Sequence, residues 1–431
     1  MRTLTRRGSV GLTLLGAGLA SPAAVADPGD HIGNDQVELI PSLTLTTQQR
    51  SNVFLQEGLV GGGEDVTAGT NLRIQPHLSF KAESADVLFN SSVGYTARKY
   101  FQADITNLDR YRDFDIRGST YLLRQSVVGL KLHDRFTING FESEADKADD
   151  PYIQVLSNDL GGRLAIRPGT SLEIDAGGNL FIDSYSGPDT GDTSFVRTGQ
   201  NDRLAYGPAI DLKWRFLPKT AIVANWEMEW FTWENNVVAP TGSTSEGTLG
   251  IPNGRIMRGE TGIRGRFTEK LVLGLTAGYG TAIYDETSVD GADGEDFAAD
   301  LKGLQGLLVG TDISYSLTES QNFSLGYRKD FQDVFFTNYV AYNRFSAAYS
   351  GTFADRYKLD LSGNYRFENY DGEVDRSDHR IITSAGFTYV ATKYLDVSLG
   401  GGWRRRASAD QLNPDIEFDD FNASLALRLT Y

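Results

Sequence analysis

The 431-residue chain has no cysteine. That excludes a disulfide framework, thiolate chemistry and thiolate metal sites. Histidine is nearly as scarce, with only His31, His77, His133 and His379, so the usual general base of hydrolytic enzymes is hard to place. No G-x-S-x-G and no Ser–His pairing is visible. His379, next to Asp378 where the chain reads as an outer loop, is the one place where a mouth-facing Asp–His pair could sit, and the sequence reads as a non-enzyme with no cofactor. Past residue 26 no stretch reaches the ~18 consecutive apolar residues of a spanning helix. Positive charge is in deficit, with Lys+Arg 41 against Asp+Glu 57, which argues against a nucleic-acid partner.

What is present begins with an export pattern. "MRTLTRR" carries Arg2, Arg6 and Arg7, "VGLTLLGAGLA" is a short apolar core, and "AVA" precedes Asp27. This order predicts a signal peptide over 1–26, a periplasmic lead over 27–35 and one domain over 36–431. Losing residues 1–26 removes three arginines and no acid, taking the net charge from −16 to −19.

The remainder alternates with period two almost throughout. In "YKLDLSGNYRF" one face carries Tyr357, Leu359, Leu361, Gly363, Tyr365 and Phe367, the other Lys358, Asp360, Ser362, Asn364 and Arg366. "AIVANWEMEW" and "LAYGPAIDLKWRF" do the same. Strands with faces this different divide an apolar phase from an aqueous one. Glycine, tyrosine and phenylalanine are abundant, with 47, 20 and 23 copies, and aromatics fall towards strand ends: Tyr95, Trp226, Trp230, Tyr284, Tyr315, Tyr349, Tyr389 and Tyr394. Such rings suit the headgroup level of a bilayer.

Connections alternate in length. Short turns read at 81–84, 133–135, 167–170, 217–220, 268–270, 318–320, 351–355 and 391–393. Long polar segments read at 49–69, 102–111, 146–153, 185–201, 235–253, 286–301, 332–336, 369–378 and 408–415. The stretch 112–132 reads as one strand, though it is long enough to hold two. These connections predict an all-β, transmembrane, antiparallel up-and-down barrel of about 18 strands in the bacterial outer membrane, short turns periplasmic. "FNASLALRLTY" places Phe421, Leu425, Leu427, Leu429 and Tyr431 on one face. It resembles the C-terminal assembly signal of outer-membrane barrels, which implies the barrel assembly machinery as a partner, with lipid and lipopolysaccharide around the wall. The other reading of that stretch is the last strand of a soluble sandwich.

Three stretches, "VELIPSLTLTTQQRSNVF", "NLRIQPHLSF…VLFNSSVGYTARKYF" and "YRFENYDGEVDRSDHRIITSAGFTYVATKYLDVSLGGGWRRRASAD", make most of the exported chain similar to the β-barrel porin type 2 family, often encoded beside exopolysaccharide export machinery. The likeness is diffuse and structural, and "TTQQRSN" departs from the acidic residues expected before the Asn. It implies a pore, one that passes a growing polysaccharide and meets a periplasmic export protein. A passive porin for small solutes and a plugged structural or adhesive barrel are the alternatives.

Strand parity sends charge inward, because a charged side chain facing lipid costs roughly 2–4 kcal/mol at the midplane. The pore-lining candidates are Arg163, Asp211, Arg215, Glu227, Glu229, Arg258, Glu260, Arg264, Arg266, Lys358, Asp360, Arg366 and Arg404. Arg258, Arg264 and Arg266 share a strand face and could guide an anionic polymer. Neutralisation by Glu227 and Glu229 on the neighbouring strand is the blander reading. The acidic segment 285–300 could hold Ca²⁺ through Asp290, Asp293, Glu295 and Asp296. It lacks the spacing of a dedicated calcium loop and reads as solvated, so no metal site is assigned.

Overall fold

A computed structural model describes residues 32–34, 36–53, 68–102, 109, 112–140, 154–186, 202–233, 237–238, 249–250, 253–284, 288–290, 296–298, 303–334, 337–371, 376–408 and 417–431. The expected signal peptide lies outside them, as does the acidic segment except for the pairing of Ser288–Asp290 with Asp296–Ala298.

Eighteen antiparallel strands form one closed wall. They are β1 (Val37–Arg50), β2 (Gly69–Glu83), β3 (Val87–Tyr100), β4 (Asp113–Leu122), β5 (Val128–Gly140) and β6 (Gln154–Ile166). Next come β7 (Leu172–Ser186), β8 (Arg203–Leu217), β9 (Thr220–Trp233), β10 (Gly254–Arg266), β11 (Leu271–Tyr284) and β12 (Leu304–Thr318). The last are β13 (Gln321–Val334), β14 (Thr337–Phe353), β15 (Tyr357–Asp371), β16 (Arg376–Thr392), β17 (Leu395–Ser408) and β18 (Phe418–Thr430). Each pairs with its sequence neighbours, and β18 pairs with β1 from Ser42↔Thr430 to Arg50↔Asn422. Closure leaves no sheet edge, which lets a sheet cross a bilayer. In the lead, Ile32–Asn34 folds back on Val37–Leu39.

Seven of the eight expected short turns lie where the sequence places them, and one does not. "HDR" at 133–135 is inside β5, where His133 lies 3.5 Å from Asp159 and Arg135 lies 3.8 Å from Asp115. The turn is at 123–127 instead and divides the stretch 112–132 into two strands. Leu123 takes φ 55°, Ser126 N–H donates to the Leu123 carbonyl, and Arg167 donates to the carbonyls of Leu123 and Ser126. The loops expected at 332–336 and 369–378 are shorter than read, since β13, β14, β15 and β16 run into them.

The outward parity is apolar and uncovered, as with Leu361 at 42%, Leu425 at 51% and Leu399 at 61% exposure. In water that surface would be a liability, whereas in a bilayer it is the solvated face. Aromatics bound it. Tyr357 stacks on Tyr389 at 5.4 Å and Tyr394 on Tyr431 at 6.4 Å near the short turns; towards the long loops Trp403 stacks on Phe421 at 6.0 Å and Tyr365 on His379 at 6.0 Å. Tyr357 and Tyr365 share β15, and that separation corresponds to about 20 Å of height for a tilted strand. The apolar band of outer-membrane barrels is about 25 Å tall. The protein is thus an outer-membrane barrel. Tyr284, expected in the aromatic girdle, instead points inward and is buried.

Candidate functional site: the barrel interior

The interior divides into two halves. Towards the short turns, inward-pointing Asp211, Arg215, Arg264, Arg266 and Asp360 are exposed, and Lys358 is half-buried. These side chains come from β8, β10 and β15. Their strands alternate with lipid-facing Ile210, Ile263 and Leu361, so burying one parity in lipid fixes the other in water. Arg163 on β6 donates to the Gly178 carbonyl at 2.7 Å and lies against the wall.

Towards the long loops the interior is filled. Three carboxylates on β15, β16 and β18 are each held between two arginines. Asp420 meets Arg50 at 2.9 Å and Arg404 at 3.0 Å. Asp378 meets Arg406 at 2.6 Å and Arg376 at 2.9 Å. Glu368 meets Arg366 at 2.6 Å and Arg380 at 3.0 Å. All three carboxylates are fully buried, and each is contacted by two guanidiniums. Arg366 and Arg404 were expected here; the other four arginines were not. Arg50 and Arg376 fall in segments that read as loops, while "RSDHR", which puts Arg376, Asp378 and Arg380 on one parity, and "RRR", which puts Arg404 and Arg406 on one, are the signal that could have found Arg380 and Arg406.

Opposite the triads sits an apolar cluster that sequence reasoning missed. Ala205, Phe231, Ile256, Ala282, Tyr284, Leu308, Phe331 and Tyr339 pack together inside the barrel. Phe331 and Tyr339 are the unexpected members. On β13 and β14 they share the parity of Leu325 and Phe345, which face lipid at 42% and 51% exposure, yet they are 2% and 3% exposed. The ladder explains this. Pairing of β12 with β13 stops at Val309↔Lys329, although β12 continues back to Leu304 and β13 on to Val334. Pairing of β13 with β14 continues to the tip, with one register shift between Asp333 and Val334, and pairing of β14 with β15 continues to Tyr339↔Asp371. Above Lys329 the tip of the β13–β14 hairpin therefore leaves the wall and leans into the lumen.

Polar groups hold it there. Arg203 on β8 donates to Asp333 at 2.7 Å and to Glu229 at 2.6 Å. Arg258 on β10 donates to the Phe331 carbonyl at 2.6 Å, lies 3.4 Å from Asp330 and 3.3 Å from Glu227, and covers the Phe331 ring at 4.7 Å. Arg328 pairs with Glu260. Arg258, grouped by sequence with Arg264 and Arg266, is thus separated from them: it binds the hairpin while they face the open half. Phe331 can lie flat because Gly280 on β11 has no side chain, and a Cβ there would run into its ring.

His379 and Asp378 do not form a pair. Both lie in β16 rather than in a loop, and successive residues of a strand face opposite ways. Asp378 points inward to its arginines, while His379 points outward, its Nδ1 2.7 Å from the Tyr365 hydroxyl. No cluster of histidine and acidic side chains suited to a metal occurs among the described residues.

No family model matches the chain, and no curated protein does. Among solved structures it is similar to OpdK of Pseudomonas aeruginosa, determined with vanillate, at 12% identity and TM-score 0.44 over 91% of this chain and 99% of that one. A BenF-like porin of Pseudomonas fluorescens gives 11% and 0.48 over 92% and 99%, and the FrpB iron transporter of Neisseria meningitidis 7% and 0.47 over 91% and 82%. Likenesses this distant carry nothing further, and the barrel rests on its own ladders and belt.

Proposed function

We propose that this barrel is an outer-membrane pore that passes anionic solutes. The observation that supports it best is the gathering of six arginines around three carboxylates inside the barrel, on β1 and β15–β18. Exposed Arg215, Arg264 and Arg266 add positive charge in the open half, against Asp211 and Asp360. Eighteen strands enclose more space than side chains alone fill. An acidic polysaccharide would respond to the same charges, so export of such a polymer is the second reading, favoured by the resemblance of the β15–β17 segment. A polymer also needs a wider bore than a small solute, and Arg203 touching Asp333 from five strands away narrows this one.

Planar-bilayer recordings of the purified barrel test the proposal. The wild type is expected to select anions, and Arg264→Glu with Arg266→Glu to shift the reversal potential towards cations, most at low salt, because exposed charges are screened beyond about 10 Å at 0.1 M. In cells, deletion is expected to slow uptake of small anions and leave surface polymer intact. Lost polymer with normal uptake moves export ahead. A non-conducting barrel favours the structural or adhesive reading.

A further inference from the structure

We propose that the tip of the β13–β14 hairpin is a gate that moves between the inward position seen here and a second position in the wall, zipped onto β12. This rests on the barrel being a pore but not on its ion preference. The second position is written into the register. Pairing that ends at Val309↔Lys329 continues in phase as 308 with 330, 307 with 331, 306 with 332, 305 with 333 and 304 with 334. Both strands already extend that far. No other adjacent pair among the described wall strands leaves such a stretch unpaired on both sides.

The side chains suit both positions. Zipped into the wall, Phe331 and Tyr339 regain their lipid-facing parity and join the belt above Tyr327 and Phe345, where aromatic rings are favoured. Asp330 and Gln332 then face the lumen. Tilted inward, the same two rings fill the apolar cluster, and Asp330 and Asp333 meet Arg258 and Arg203. An ordinary wall strand has one comfortable face per environment; this segment has partners for both faces on either side of the seam. The latch is polar and made of a few charge-assisted hydrogen bonds, so it can be undone one group at a time. The in-wall position recovers ladder hydrogen bonds and removes Phe331 and Tyr339 from the bore.

Cysteine trapping tests this, helped by the absence of native cysteine. Gly306→Cys with Gln332→Cys puts thiols opposite each other only in the zipped register. In the inward position no atom lies within 4 Å of where a Cβ on Gly306 would sit, whereas a disulfide needs Cβ atoms about 3.8 Å apart. Ser314→Cys with Ser324→Cys, in the zipped part of the same seam, is the positive control. In oxidised outer membranes the 306/332 pair is expected to crosslink slowly, and about tenfold faster with Asp333→Asn added, the effect of losing one charge-assisted hydrogen bond. In bilayers the crosslinked form should hold a higher conductance that reverts on reduction. Crosslinking of 314/324 but never of 306/332, in either background, overturns the gate. So does a 306/332 crosslink that leaves conductance unchanged. Crosslinking reads the hairpin's position in the membrane whether or not current flows, so a failed pore reading and a failed gate give different results.

Discussion

Replacing Asp420 with alanine should loosen the barrel where its two ends meet. The carboxylate is fully buried on β18 and accepts from Arg50 Nε at 3.1 Å and Nη2 at 2.9 Å, from Arg404 Nη2 at 3.0 Å and from the Asn52 N–H at 3.2 Å. Arg50 is 2% exposed and Arg404 7%. Removing it leaves two buried guanidiniums facing each other without the anion between them, and breaking a buried ion pair from one side costs about 3–5 kcal/mol. Asp420→Asn keeps hydrogen-bonding capacity but loses the charge, so a smaller loss is expected. Urea titration of detergent-folded barrels, read by the gel shift between folded and unfolded forms, measures both. If the triad acts as a unit, Arg50→Met with Asp420→Leu and Arg404→Met should recover most of the loss, since well-packed apolar replacements of buried ion pairs are often neutral. An unchanged unfolding midpoint for Asp420→Ala would refute the reasoning and mean that this carboxylate contributes nothing to closure.

Three further outcomes are expected. Gly207→Ala should impair folding at a cost of about 3 kcal/mol, because a Cβ there runs into the Met228 carbonyl, while Gly363→Ala, with nothing within 4 Å, should be silent in the same titration. Tyr431→Asp should lower outer-membrane levels, measured by fractionation and blotting, because it removes a ring stacked on Tyr394 at the end of the closing strand; the conductance of the fraction that inserts should be unchanged. Epitope tags within 187–201 or 239–248 should bind antibody on intact cells, and tags in the turns at 168–170 or 218–219 should not.

The wall was largely legible in the sequence because alternation with period two is a local property and each strand carries its own copy of it. The displaced turn shows where locality fails: Leu123, Arg124 and Gln125 contain neither glycine, proline nor asparagine, and the positive φ of Leu123 is stabilised by Arg167 from the β6–β7 turn. Parity put Arg258, Glu260 and Arg404 inside but could not say which charges meet, since that depends on strand tilt and stagger. The inward hairpin was invisible for a stronger reason. Its residues keep the alternation of a lipid-facing strand, so a pattern-based reading places Phe331 in the membrane, where the structure does not.

The contact of Arg50 with Asp420 also bears on the order in which the molecule can form. The two residues are 370 positions apart, and every other pair of neighbouring wall strands follows directly in sequence. Hairpins can therefore assemble early and independently, each with a modest loop to close. The β1–β18 junction alone must wait for all of them. Until it forms, the protein is an open sheet with two bare edges, the state most exposed to pairing with the wrong strand. At that junction Arg50 is buried against a carboxylate that Arg404 already holds from the adjacent strand, which gives closure a recognition of its own that a free edge elsewhere does not offer.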